Sequence, residues 1–169
     1  MNPMRVPKIS KVTVNMGIGE GGERLAKAEA LLENLTGQKP KKNFARLTEP
    51  SFGIRKGLPI ACMVTLRKDM ADEFLEKAFP AIDRKLKISS FDPFGNVSFG
   101  IKEHIDIPGV RYDPNVGIFG MDVCLTIERP GYSIKRRKIH STKPSKKHLV
   151  TRDDSIEFLR SRHKISVEG

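Results

Sequence analysis

The chain of 169 residues contains no tryptophan, two tyrosines and two cysteines. The cysteines, Cys62 and Cys124, each sit in an apolar stretch, which excludes a disulfide-stapled scaffold and suits a reducing compartment such as the cytoplasm. No apolar run approaches the ~18 residues that a membrane span requires, so no membrane association is expected. The opening MNPMRVPKIS lacks the apolar stretch of a secretory signal. His104, His140, His148 and His163 stand at no metal-ligand spacing, and neither cysteine belongs to a C-x-x-C pair. A nucleophile elbow and a P-loop lysine motif are missing too. These gaps argue against an enzyme and against a bound metal or cofactor. Asp106 and Asp113 read as surface acids.

Acid is the remaining deficit. Lys and Arg number 31 against 20 Asp and Glu, for a formal net charge of +11. The imbalance is blocked: residues 1–68 hold 13 basic and 5 acidic side chains, 69–128 hold 6 and 11, and 129–169 hold 12 and 4. Two basic blocks flanking an acidic one imply a particular binding surface. A polyanion is the natural partner, because each cation placed on a phosphate releases a condensed counterion. The plainer alternative, charge for solubility, needs only a modest net charge of either sign. With 38% hydrophobic residues the chain can still bury a core, and its length suits one domain.

Periodicity predicts the elements. Ile9–Met16 alternates, with Val12, Val14 and Met16 on one face and Lys11, Thr13 and Asn15 on the other. A glycine turn, Gly17–Gly22, leads into a helix over Glu23–Leu35, closed by Gly37. Lys39–Arg46 reads as a basic strand, and Leu47–Pro59 as a loop punctuated by Pro and Gly. Ile60–Arg67 is a third strand, with Ile60, Cys62, Val64 and Leu66 toward the core and Ala61, Met63, Thr65 and Arg67 opposite. A second helix is expected over Asp69–Leu86, with Asp69 as N-cap and Pro80 bending or interrupting it. Val97–Lys102 and Met121–Glu128 are strands, separated by an irregular stretch, Ile105–Gly120, that is longer than most loops. Thr151–Asp154 reads as a capping box opening a C-terminal helix. The order predicts an α+β fold, a two-layer α/β sandwich. Its sheet would be mostly antiparallel, with helices on one face and the other face left open to RNA.

Three features compete for chemistry. Gly17-x-Gly19-x-x-Gly22 follows a strand and opens a helix, as a dinucleotide fingerprint does. The acid expected about 20 residues later is replaced by Lys39-Pro-Lys-Lys-Asn43, which favours a plain glycine turn. Lys135, Arg136, Arg137, Lys138, Lys143, Lys146 and Lys147 form a run without an acid, and Pro144 with its serines and threonines argues against a helix there. That composition suits an extended arm ordered on nucleic acid, the alternative being a solvated tail. In the loop Glu49–Pro59, Phe52 and Ile54 adjoin Arg55 and Lys56. The mixture suits RNA contact by stacking and charge, or else a loop folded onto its own core.

Taken in order, Lys11-Val-Thr-Val-Asn15, Gly17-Ile-Gly-Glu20, Leu35-Thr-Gly-Gln-Lys-Pro40, Ile54-Arg-Lys-Gly-Leu-Pro-Ile60, Val64-Thr-Leu-Arg67, Gly100-Ile-Lys-Glu-His104, Tyr112-Asp-Pro114 and Gly120-Met-Asp-Val123 resemble ribosomal protein five of the large subunit, the family that binds 5S rRNA. The ending Arg129-Pro-Gly-Tyr132, followed by Lys135–Lys138, resembles the archaeal and eukaryotic branch. The resemblance implies a cytoplasmic, ribosome-bound protein of the central protuberance that helps attach 5S rRNA to other large-subunit rRNA and proteins. It implies 5S rRNA contacts at Lys11, Asn15, Gln38 and Thr65; the strand pattern adds Thr13 and Arg67. It further implies that the Glu49–Pro59 loop reaches P-site tRNA and that a bridge to a small-subunit head protein forms, which we place on Ile105–Gly120. The expected organisation is a 5S-binding α+β domain over 1–132 and a basic arm over 133–150. A C-terminal helix and tail over 151–169 would belong to the same domain. Few aromatics fall on the open face, which argues against base stacking on the sheet. A free-standing RNA-binding assembly factor and a dinucleotide enzyme using Gly17–Gly22 are the competing readings.

Overall fold

A strand with one apolar and one polar side sets the architecture. In the structure, a computed structural model that describes residues 2–110, 113–114 and 116–168, strand β1 covers Lys8–Gly17. Its Val12, Val14 and Met16 are fully buried, while Lys11, Thr13 and Asn15 stay part-exposed. Helix α1 (Glu23–Thr36) and strand β2 (Lys41–Phe44) follow, then strand β3 (Pro59–Leu66) and helix α2 (Asp69–Ala78). The chain continues through β4 (Lys85–Lys87), β5 (Val97–Ile101) and β6 (Met121–Glu128). It ends in a one-turn helix α3 (Ser133–Arg136), helix α4 (Arg152–His163) and β7 (Ser166–Glu168). Five strands form a sheet in the order β2-β3-β1-β6-β5, with every pairing antiparallel. This is the expected α+β architecture.

One face of the sheet carries the core. Val12, Val14, Cys62, Val64, Leu66, Val123, Leu125 and Ile127 meet Leu25, Ala28 and Leu32 of α1 and Ala71, Phe74, Leu75 and Ala78 of α2. The glycine turn before α1 is bound to this layer. The Ile18 and Gly19 amides both donate to the Ile60 carbonyl, at 3.0 and 2.9 Å. A Cβ on Gly21 would lie 3.2 Å from the Pro59 carbonyl oxygen. Both amides are committed to β3, so this part of the turn is structural and those two N–H groups are not available to a dinucleotide phosphate.

Helix α2 departs from expectation. It stops at Ala78, a short 3-10 turn spans Pro80–Ile82, and Lys85–Lys87 is a strand instead of the last helical turn. Pro80 has no N–H to extend the helix, and Asp83 and Arg84 then reverse the chain with φ of 53° and 55°. Asp69 is not the N-cap. Lys68 holds that position without a side-chain cap, and Asp69 faces the helix dipole from the first turn. Strand β2 is also shorter than the expected Lys39–Arg46.

The C-terminal segment is stitched into the rest. Thr151 and Asp154 form the reciprocal capping box of α4. Leu159 is fully buried in the common core, and β7 pairs in parallel with β4. Arg129 donates to Asp154 Oδ2 at 2.9 Å and to the Lys147 and Leu149 carbonyls at 3.3 Å each. The buried Ser155 hydroxyl donates to the Gly95 carbonyl at 2.8 Å. Gly95 has φ +77°, and a Cβ there would lie 2.2 Å from Ser155 Oγ and 2.8 Å from Val150 Cγ1. Gly95→Ala combines a left-handed backbone with overpacking, so it should cost about 2–4 kcal/mol. A thermal melt followed by circular dichroism should show a midpoint lowered by roughly 5–15 °C. A wild-type midpoint would mean that α4 does not lock the 91–96 turn.

Candidate nucleic-acid interface

The face opposite the helices is assembled row by row from the strand register. One row runs Lys41–Met63–Asn15–Asp122–Gly100 across β2, β3, β1, β6 and β5. The next runs Thr65–Thr13–Cys124–Ser98, and a third pairs Lys11 with Thr126. The helices α1 and α2 pack on the other side. Apart from Met63 and the lysines, these side chains are small, so a partner can approach the sheet closely and find hydroxyl, amide and ammonium groups.

Lys11, Thr13, Asn15 and Thr65 therefore share one surface. Arg67 lies one residue beyond β3 and is exposed at the margin. Gln38 is exposed in the turn between α1 and β2, three residues before Lys41 of the Asn15 row. Its backbone N–H donates to the buried Thr36 hydroxyl oxygen at 3.4 Å, and that hydroxyl donates to the Leu32 carbonyl at 2.7 Å. Lys42 points the other way and pairs with Glu29 of α1 at 3.1 Å.

The Glu49–Pro59 loop is a structured extension of the β2–β3 hairpin. Ala45 N–H donates to Leu58 O at 2.8 Å, and Glu49 and Ile54 exchange backbone hydrogen bonds of 2.8 and 3.1 Å. Phe52 stands at the tip with 77% of its surface exposed, so the loop does not fold onto its own core. Arg55 and Lys56 are exposed beside the part-buried Ile54.

The basic arm corrects the extended reading. Lys135 and Arg136 belong to the one-turn helix α3, and Lys146 and Lys147 to a 3-10 turn. The peptide between them turns back: Ser141 Oγ donates to Lys135 O at 3.0 Å, and Thr142 N–H donates to Ile134 O at 3.2 Å. Arg136 pairs with Glu128, and Arg137 Nε donates to His140 O at 2.8 Å. These local bonds outweigh the proline and the hydroxyl residues that disfavour helix. All seven basic side chains remain exposed.

Several residues of this face escaped the sequence reading: Lys41, Ser98, Asp122, Cys124 and Thr126. The inward set of β6 was legible, and its complement on the same strand follows from the pleat alone. Among the described residues no cluster of His, Cys, Asp and Glu could hold a metal ion, and no helix is long and apolar enough to cross a membrane. The acids of α2, Asp69, Asp72, Glu73 and Glu76, lie in the helical layer, away from the open face. Of the β6 carboxylates, Asp122 stands in the Asn15 row and Glu128 at the far end of the strand, opposite Lys8. Arg111, Tyr112 and Asn115, within the Ile105–Gly120 stretch and the Tyr112–Pro114 string, lie outside the described residues.

Residues 2–55 match the family profile described as Ribosomal protein L5, and residues 59–158 match the profile of that ribosomal family's C-terminus. Curated relatives named Large ribosomal subunit protein uL5 align over nearly all of the chain. The Methanosphaera stadtmanae protein is 48% identical over 99% of this chain and 100% of its own length. The Methanococcoides burtonii protein is 48% identical over 99% of each, and that of Methanococcus maripaludis 52% over 95% of this chain and 90% of its own.

The two thiols report on the faces. Burial pushes Cys62 up to about 11, with Glu29 adding to the shift. Partial burial, then the Asp122 charge, raises exposed Cys124 above the ordinary thiol value. The thiolate is the nucleophile. Maleimide labelling of the native protein should therefore modify Cys124 alone, slowly at pH 7 and faster with each pH step toward and past 9. Asp122→Asn should accelerate it, and RNA seated on the sheet should block it. Labelling of Cys62 at a comparable rate, judged by peptide mass, would invert the facing of the sheet.

Proposed function

Because the chain belongs to the ribosomal L5 family, non-enzymatic components of the large ribosomal subunit that work among rRNA and ribosomal proteins, we propose that its open sheet face is the seat of 5S rRNA. The observation that carries this reading is the in-register alignment of Lys11, Thr13, Asn15 and Thr65 on a face that neither α1 nor α2 covers. Lys11 and Arg67 supply charge to phosphates, and Asn15, Gln38, Thr13 and Thr65 supply hydrogen bonds to riboses and base edges. The 2′-hydroxyl then separates RNA from DNA. Holding 5S rRNA on this face while the arm and the margins contact other large-subunit rRNA would attach it to the central protuberance.

Two further contacts belong to the same reading. The hairpin extension, with Phe52, Ile54, Arg55 and Lys56 at its end, reaches P-site tRNA. The Ile105–Gly120 stretch meets a head protein of the small subunit. Residues 1–132 act as the 5S-binding unit, 133–150 as its basic arm and 151–169 as the helix and tail that complete it. The competing assembly-factor reading predicts a protein that leaves ribosomes in high salt.

Asn15→Ala combined with Thr65→Ala should weaken 5S rRNA binding by about 0.5–1.5 kcal/mol per lost bond with an unchanged melting midpoint. Equal affinity in a filter-binding titration would remove these residues from the interface. Arg55→Ala/Lys56→Ala should leave 5S binding intact and speed tRNA dissociation from reconstituted ribosomes, increasingly so as salt rises. An unchanged rate at every salt concentration, with the variant shown to be incorporated, would assign the hairpin to another partner.

A further inference from the structure

At the β5–β6 end of the open face lies a cavity of about 220 Å³ whose walls include Lys11, Phe94, Thr126, Tyr132, Lys135 and Arg136. We propose that it receives one unstacked nucleotide of the bound RNA, its base against Phe94 and its phosphate among Lys11 and Lys135. The proposal rests on the reading that the open face binds RNA.

Phe94 is 63% exposed, yet it is rigidly presented. Asp92 Oδ1 accepts from the amides of Phe94 and Asn96 at 2.9 and 2.6 Å, and Asp92 Oδ2 accepts from the Asn96 side-chain amide at 2.6 Å. The next residue, Gly95, is wedged against Ser155 and Val150 of the C-terminal segment. A turn whose only duty was to reverse the chain would carry any polar residue at this position. Here an aromatic ring is held in water, with cations on the same cavity. An aromatic platform next to Lys and Arg is the arrangement that captures a splayed-out base, since every base offers a π-face.

The rest of the cavity fits that guest. Part-buried Leu149 and Tyr132 supply apolar wall, while Asn96 and Thr126 supply hydrogen-bonding groups for a base edge. The one carboxylate, Glu128, is ion-paired with Arg136, so the phosphate side stays electropositive. Lys11 and Thr126 form the third row of the open face, which makes the cavity continuous with the proposed 5S surface. The expectation against base stacking concerned the sheet itself, and the proposed platform lies off its strands. No aromatic stands in the three rows on the strands, but one is set at their edge by the 91–96 turn.

The test is affinity of the full chain for 5S rRNA with wild type, Phe94→Ala, Phe94→Leu and Phe94→Tyr, beside Asn15→Ala/Thr65→Ala as the reference. Phe94→Ala and Phe94→Leu should each weaken binding by about 5- to 100-fold with an unchanged salt slope, whereas Phe94→Tyr retains it. Ultraviolet crosslinking should place a single nucleotide on the Phe94 peptide. Wild-type affinity for Phe94→Leu, with the reference variant weakened, overturns the pocket and leaves the 5S surface standing. Wild-type affinity for both overturns the surface and the pocket together. A Phe94 crosslink to protein in assembled subunits, with none to RNA, also overturns the pocket.

Discussion

The pleat of β1 is the constraint on which the structure depends. A strand hydrogen-bonded on both edges has only its two faces left to use, and period-two alternation divides them without overlap. Val12, Val14 and Met16 commit one face to the helices, and that choice places Lys11, Thr13 and Asn15 outward. A one-residue slip against β3 or β6 would expose the valines and bury a lysine and an amide. The cost of burying such groups unpaired is what holds the register. The core and the composition of the open face are two readouts of one alignment.

Charge is layered on the same frame. The basic excess of the first block appears on the sheet, the hairpin extension and the turn after α1. Of the eleven acids of the middle block, four stand on α2 in the opposite layer, while Asp122 lies on the open face. Arg24, Lys27 and Lys42 turn toward Glu20, Glu23 and Glu29, so the α1 side neutralises itself locally. The unpaired basic excess of the first block is thus left to the sheet, the hairpin extension and the turn after α1, which favours a polyanion on that side.

What the sequence disclosed follows from which forces are local. Alternation in β1, β3 and β6, the Thr151–Asp154 capping box and the end of α1 at Gly37 are written in adjacent residues, and all appear where expected. The misses depend on distant chain. Lys85–Lys87 becomes a strand because β7, some eighty residues later, supplies its partner. The basic arm is compact because Arg129 gathers the carbonyls of Lys147 and Leu149 together with Asp154. Phe94 reads as one more turn residue until the register of β5 and the packing of Ser155 bring it beside Lys11. The outward residues of β1 and β3 were therefore within reach of pattern reading, and the placement of Phe94 at the sheet's edge was not.

Strand β2 closes one side of the sheet and has no neighbour beyond it among the described residues. It bears Lys41 and Lys42, with Phe44 and Leu47 exposed just after them. An unpaired strand edge next to apolar side chains is a template for joining a second molecule, and lysines are the usual guard against it. The lysines that suit the chain to a polyanion thus also keep unbound copies apart in solution. Short anionic fragments that neutralise this edge without covering it would lift that guard and give the free protein a colloidal fragility.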